Sequence, residues 1–576
     1  MTHRASVDLP GDFARVVAEA IPGILNHQQP GGSIVYDAKA PVNWPQQAVF
    51  PLAFCWAGLD PEKRWHQHGR VRESLDKLTG FLLQRLDDKG EFSWDSHGHK
   101  VSGVDQRLIY AWIEGLRTLR ENGGDFPFDA WGKKILAACE NLIEHRLRKL
   151  EGVRRFIARV MGTSTNHVAL YLSTIHRAGQ VLGRDDLCRY VLPIARALAQ
   201  DIHPDGYWEE HGDLLRTGGP TPSYNYLTHC GMALLYEWTG EGVFRAAIER
   251  STRFHGNFCY PDASFFELID ERVRHGHGAR VWGLFGFSHS AEGRGTALAH
   301  FNHWCQARKS VEDVSPELLA RHCENFLYWH GGEATPAPFE SWDHHATLTL
   351  PAGIFRRGVW CVGLNAMRAT NAEDPAYRDS PFGLEKQKLF SVWHEAAGLI
   401  LDGSHAKDQP ENSTFATQAA YSKDHYPCGG SVGEEDGDWI VNAAYKTFHG
   451  QVRLRVLSEQ SLQIDLSIDP AGNRGPFTAG FTLIPREPLA SGLSGRSVIL
   501  EHAEPVEVSG KELGGGFHNG IVTVKGPENM KLVWPYSPFN SYAKDRKSGP
   551  AASLLRVCVE LTPEHPRASF VLSVAK

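Results

Sequence analysis

A chain of 576 residues exceeds what one ordinary hydrophobic core organises, so two or more domains are expected. With 42% hydrophobic and 22% charged residues it is globular, and a net charge of -7 argues against a dedicated nucleic-acid binder. No apolar run reaches the roughly 18 residues that a membrane helix needs, and ten cysteines without a CxxC pair support neither a disulfide framework nor a thiolate metal site.

The N-terminus, MTHRASVDLPGDFARVVAEAIPGIL, lacks the uninterrupted apolar run and small-residue cleavage site of a secretory signal. It reads as a first amphipathic helix, and the chain as cytoplasmic or already processed, with periplasmic or secreted placement if a leader was trimmed. From there to about residue 330 the apolar positions recur at three-and-four spacing, the helical period. RESLDKLTGFLLQRL, QRLIYAWIEGLRTLRENGG, DAWGKKILAACENLIEHRL, NHVALYLSTIHRAGQVLG, DLCRYVLPIARALAQDI, YNYLTHCGMALLYEWTG and SPELLARHCENFLYWHGG are predicted helices, several ending at glycine. Helical hairpins without a fixed-period repeat favour an (α/α) toroid over a regular solenoid. After ATPAPFESWD the pattern shifts to short β-branched and aromatic runs bounded by Gly, Pro, Asn and Asp, among them RGVWCVGLNAM, GDWIVNAAYKTFHG, QVRLRVLSEQSLQIDLSID and SLLRVCVELT. These predict an antiparallel β-sandwich domain over 336–576, following a toroid over 1–335.

Three stretches of the helical part carry candidate chemistry. RLRKLEGVRRFIAR, from Arg146 to Arg159, holds six cations against one acid, which suits either a solvated face or a steering surface for an anionic ligand. It leads into TSTNHVALYLS, where Asn166 and His167 open a helix whose N-terminus presents free N–H groups and a partial positive charge. The third is DGYWEEHGDLLRTGGPTPSYNY: an Asp205-Gly206 turn, then Glu209, Glu210 and His211, then Pro220 and Pro222 leading to a helix with Tyr224 and Tyr226 in its first turn. Taken singly, His167 reads equally as a core histidine, and the tyrosines as packing residues.

Together these residues resemble the uronate-cleaving polysaccharide lyases built as an (α/α) toroid followed by antiparallel sheets, the group of heparinase II/III-like, alginate and hyaluronate/chondroitin lyases. In that group an Asn or Asn-His pair opens an inner-wall helix, and an Asp-Gly segment leads to a catalytic tyrosine. The resemblance implies catalytic roles for Asn166, His167, His211 and Tyr224 or Tyr226; the spacing from His211 to Tyr226 exceeds the hyaluronate-type pattern, so either tyrosine fits. Arg294, in a Gly-Arg stretch, joins Glu210, Trp208, His289 and Arg155 as a candidate substrate contact.

Cleaving a 4-linked uronate by β-elimination requires neutralising its carboxylate, removing the C5 proton and protonating the leaving oxygen at C4. Asn166 and the helix N-terminus can meet the carboxylate, and a tyrosine can act as base and then acid if nearby cations lower its pKa from about 10. An acidic polysaccharide or oligosaccharide is the expected partner, and no metal or redox cofactor is required for this step. Because some heparinase II/III-like lyases hold zinc in the sheet domain, His344, His394, Asp402 and His405 are the residues expected to hold one here. A glycoside hydrolase using carboxylates among Glu209, Glu210, Asp213 and Glu292 is the nearest rival. A non-catalytic carbohydrate-binding scaffold, with Trp44, Trp208, Trp282 or Trp304 stacking on sugar, is the other.

Overall fold

A computed structural model describes residues 8–36, 43–96, 99–210, 218–270, 280–308, 310–368, 387–404, 409–417, 426–472, 475–500, 505–540 and 543–575. The chain divides into two compact units. The first comprises Met1–Glu210, Tyr224–Arg253 and Ala279–Thr335; the second comprises His211–Ser223, Phe254–Gly278 and Pro336–Lys576. Two excursions from the helical part, 211–223 and 254–278, thus belong with the sheet-rich unit, which a linear reading of periodicity does not reveal.

The helices among the described residues are α1 (Leu9–His27), α2 (Val49–Trp56), α3 (Gly69–Arg85), α4 (Gln106–Glu121), α5 (Phe128–Leu142), α6 (Ala158–Met161), α7 (Thr165–Leu182), α8 (Asp185–Gln200), α9 (Pro222–Thr239), α10 (Gly242–Asn257), α11 (Ala291–Ala307) and α12 (Pro316–Leu327). Several begin or end for a local reason. Asp8 caps α1 by accepting from Gly11 N, Asp105 caps α4 by accepting from Arg107 N, and α7 stops at Gly183, which adopts φ 67°. The array closes on itself because α1 packs against α12, the last helix, as well as against α2. Phe13 of α1 meets Phe301 of α11 edge-on at 4.9 Å, and its ring stacks on His322 of α12. The helical period did not announce the short antiparallel pair Phe92–Ser96 and His99–Gly103 between α3 and α4. None of the helices is long and apolar enough to cross a membrane.

His322 shows how this core handles a polar ring. It is fully buried among Phe13, Phe301 and Trp304, and burial pushes its pKa down to about 3. The folded state excludes the proton that the unfolded chain binds near the ordinary value of about 6.5. The resulting stability is therefore present above that pH and lost as the pH falls below it. In His322→Phe the acid limb of the stability curve should flatten by about 1.4 kcal/mol per pH unit below about pH 6. Urea unfolding of both proteins across that range measures the difference.

The second unit holds two antiparallel sheets. One runs Ser497–Ile499, Leu489–Gly492, Gly516–Asn519, Val522–Lys525, Arg567–Val574, Ser461–Asp469, His449–Ser458, Asp438–Ala444, Gly429–Glu435. The other runs Val506–Ser509, Lys531–Tyr536, Leu554–Leu561, Phe477–Leu483, Gly398–Leu401, Phe390–His394, Trp360–Asn365, Ala352–Arg357, His345–Thr347, with Phe415–Thr417 also paired to Phe477–Leu483. Ser461–Asp469 alternates in burial, with Leu462, Ile464 and Leu466 inside, as a strand with one wet face requires. The two inner faces share one core, where Phe481 of one sheet meets Phe570 of the other at 5.2 Å.

Candidate active site

The N-terminus of α7 is the pivot of the site. Ser164 Oγ donates to Asn166 Oδ1 at 2.6 Å, and the His167 amide donates to the same oxygen at 2.9 Å. Both bonds hold the buried Asn166 amide by its oxygen. His167 is half-buried, its ring edge-on to Tyr171 one turn later at 6.1 Å. Thr165 Oγ1 donates to the carbonyl of Glu209 and so ties this helix end to the 205–210 segment.

That segment is a folded turn in its own right. Gly206 adopts φ 95°, its amide donates to His203 O, and the His203 amide donates to Tyr207 O at 2.7 Å. Glycine is required there because a side chain would disfavour the positive φ. Tyr207 and Trp208 turn inward. Trp208 is 3% exposed and its indole N–H donates to Leu198 O at 3.0 Å, so it is a core residue and not a sugar platform. Glu209 and Glu210 are both buried. Arg155 pairs with Glu209 and, at 3.0 Å, with Asp201, whose carboxylate also accepts from Phe156 N at 2.7 Å. The guanidinium therefore works as a structural brace between the basic stretch, the end of α8 and the turn. The other cations of that stretch, Arg146, Arg148, Lys149, Arg154 and Arg159, are exposed.

The start of α9 reaches the same place, since Asn225 Nδ2 donates to Trp208 O at 3.3 Å. The two tyrosines flanking Asn225 differ sharply. Tyr226 is 0% exposed, and its hydroxyl lies 2.9 Å from His300 Nε2 beneath the Phe287 ring. Tyr224 is half-buried and is the one that retains access to solvent. His211 and Asp213 lie outside the described residues.

Arg294 sits in the first turn of α11, where its Nε donates to Glu333 O at 2.8 Å and its Nη1 to Ser288 O at 2.6 Å. These bonds make it a latch between backbone segments and use two of its five N–H donors. His289, on the same Leu284–His289 turn, lies 3.1 Å from Glu237 Oε1. Of the aromatic platforms proposed for sugar, Trp44 is exposed and stacks with Arg107, while Trp282 and Trp304 pack against Arg321 and Arg308.

Among the described residues, those expected to hold zinc are engaged with other partners. His394 has both ring nitrogens engaged, Nε2 on Glu459 O at 2.9 Å and Nδ1 on Ala396 N at 3.1 Å. His344 Nε2 is bonded to Asn257 O, and Asp402 accepts from Lys388 Nζ at 3.0 Å and from Ser404 Oγ. His405 lies outside the described residues. The cluster that does gather among the described residues, Glu237 with His289 and His330, was missed from sequence, as were Asp201 and His300. Only Asp201 left a trace there, as an acid ending a helix near a cationic stretch in need of a partner.

No protein-family model matches this sequence, and no curated protein sequence matches it. Solved structures do. One of heparinase III aligns over 100% of this chain and 85% of its own, with 10% identity and a TM-score of 0.56. A second, also of a heparinase III, aligns over 99% and 85%, with 9% identity and a TM-score of 0.50. The chain has the fold of heparinase III, a helical toroid followed by antiparallel sheets.

Proposed function

We propose that this protein is a polysaccharide lyase that cleaves a uronate-containing acidic glycan by β-elimination. The observation that carries the reading is the convergence of the α7 N-terminus, with Asn166 and His167, on the 205–210 segment to which the first turn of α9 is also bonded. Asn166 Nδ2 and the helix N-terminus meet the uronate carboxylate and make the C5 proton more acidic. Tyr224 removes that proton and returns one to the C4 oxygen, with His167 as supporting cation or base. The exposed cations between Arg146 and Arg159 raise the local concentration of a polyanion. Likeness to structures named for heparinase III supports a glycan of the glycosaminoglycan kind, with alginate and glucuronan as the comparators.

Hydrolysis is less well supported, because Glu209 is buried in an ion pair with Arg155 and is not poised as a free acid. The product separates the two chemistries: elimination leaves a C4–C5 double bond conjugated to the carboxylate, which absorbs in the ultraviolet, and hydrolysis does not. The protein should generate this absorbance on one of heparan, chondroitin, hyaluronan, glucuronan or alginate. In Asn166→Ala the rate should fall by roughly 10²–10³, the usual effect of removing one donor to a developing oxyanion. Chain shortening without absorbance, or binding without shortening, would overturn the reading.

A further inference from the structure

The geometry points to a divalent transition-metal site of the zinc class formed by Glu237, His289 and His330. The three residues come from separate elements: Glu237 from the last turns of α9, His289 from the end of the Leu284–His289 turn, and His330 from the segment after α12. One donor atom from each lies within 4.8 Å of the others. His330 Nε2 stands 2.9 Å from Glu237 Oε1 and 3.1 Å from Oε2, and His289 Nε2 stands 3.1 Å from Oε1. The two imidazole rings lie 4.3 Å apart, tilted by 41°. Zinc bonds of about 2.0–2.1 Å at tetrahedral angles set neighbouring donors about 3.4 Å apart, close to the 2.9–3.1 Å that separates each imidazole nitrogen from the carboxylate.

Hydrogen bonding alone does not account for the arrangement. The His289 side chain is 7% exposed, and its buried Nε2 has no hydrogen-bond partner among the described residues, although it faces the carboxylate. A buried polar nitrogen left in that state is costly. A cation satisfies it, taking a lone pair from each imidazole and one from the carboxylate. Two nitrogens and one oxygen suit zinc and its transition-metal neighbours; calcium and magnesium favour all-oxygen shells. The His330 side chain is 47% exposed, so water can complete the shell from that side.

The surroundings hold the ligands in place. The His330 amide donates to Ser288 Oγ at 2.9 Å, Ser288 Oγ donates to Phe285 O, and Arg294 fixes Ser288 O. Tyr236 meets the His289 ring edge-on at 5.0 Å. These contacts brace the backbone of two of the three ligands before any ion arrives. Along α9, Glu237 lies thirteen residues beyond Tyr224, roughly 20 Å at the helical rise, which separates the metal from the proposed sugar chemistry. Its role is a clamp joining the end of α9 to the turn before α11 and to the exit of α12.

Full-length protein stripped with a chelator and titrated with zinc chloride tests this. Calorimetry should report one tight zinc per chain and a raised thermal midpoint. In His330→Ala, whose partly exposed side chain makes misfolding easy to exclude by far-ultraviolet circular dichroism, that binding should be lost; in Glu237→Gln it should weaken at least tenfold. Cobalt substituted for zinc should give ligand-field bands in the wild type that the variants lack. Uptake of no zinc by the wild type, or equal uptake by all three proteins, would overturn the site and leave an imidazole–carboxylate ion pair.

Discussion

Tyr224→Phe should lose elimination activity by roughly 10³-fold or more while keeping its fold, because general acid–base steps are commonly worth 10²–10⁴ and one hydroxyl serves both in the proposed reaction. The neighbouring Tyr226→Phe should behave in the opposite way. Its hydroxyl is bonded to His300 in the closed interior, so removing it takes a hydrogen-bond partner from a buried ring and costs about 1–3 kcal/mol of stability. The folded fraction should turn over at close to the wild-type rate. Initial rates of ultraviolet absorbance, normalised to folded protein, separate the two. A fully active Tyr224→Phe beside an inactive Tyr226→Phe would reverse the assignment and require an opening of the core around α9.

The second large effect is on stability. Arg155→Ala leaves the carboxylates of Glu209 and Asp201, both almost wholly inside the protein, without their shared cation. Breaking a buried pair in this way costs about 3–5 kcal/mol, since the remaining charge keeps its desolvation penalty. An exposed pair provides the contrast: Arg64 and Glu62 are 48% and 57% exposed, and Arg64→Ala should shift stability by about 0.5 kcal/mol or less. Urea midpoints of the two variants at neutral pH make the comparison. Equal shifts would mean that the Arg155 brace carries no more than a surface contact. Because that brace also positions the turn beside α7, Arg155→Ala should slow elimination even below the temperature at which it unfolds.

Local physics wrote much of the architecture into the sequence. α7 can be read from NHVALYLSTIHRAGQVLG because one face is apolar, Gly183 ends it, and both signals lie within a few residues of each other. Ser461–Asp469 is legible for the same reason, since one wet and one dry face impose alternation. A strand covered on both faces has no period to detect, so only composition can reveal it: Trp360–Asn365 was legible in RGVWCVGLNAM, whereas the shorter Phe390–His394, equally buried, escaped notice. The segments 211–223 and 254–278 belong with the sheets through contacts that no local pattern encodes.

The site divides along the same line. The sequence by itself determined that Asn166 and His167 open a helix, that Asp205-Gly206 makes a turn, and that two tyrosines begin α9, because capping and turn chemistry act over a few bonds. Only the tertiary structure decided which of those side chains face inward. It buried Trp208 and Tyr226, assigned Arg155 to Glu209 and Asp201, and turned Arg294 into a backbone latch. It also brought His330 to Glu237 across 93 residues, a pairing that has no spacing rule. The reason is physical: capping and periodicity depend on neighbours along the chain, whereas the partner of a buried charge is fixed by which distant elements exclude water from it together.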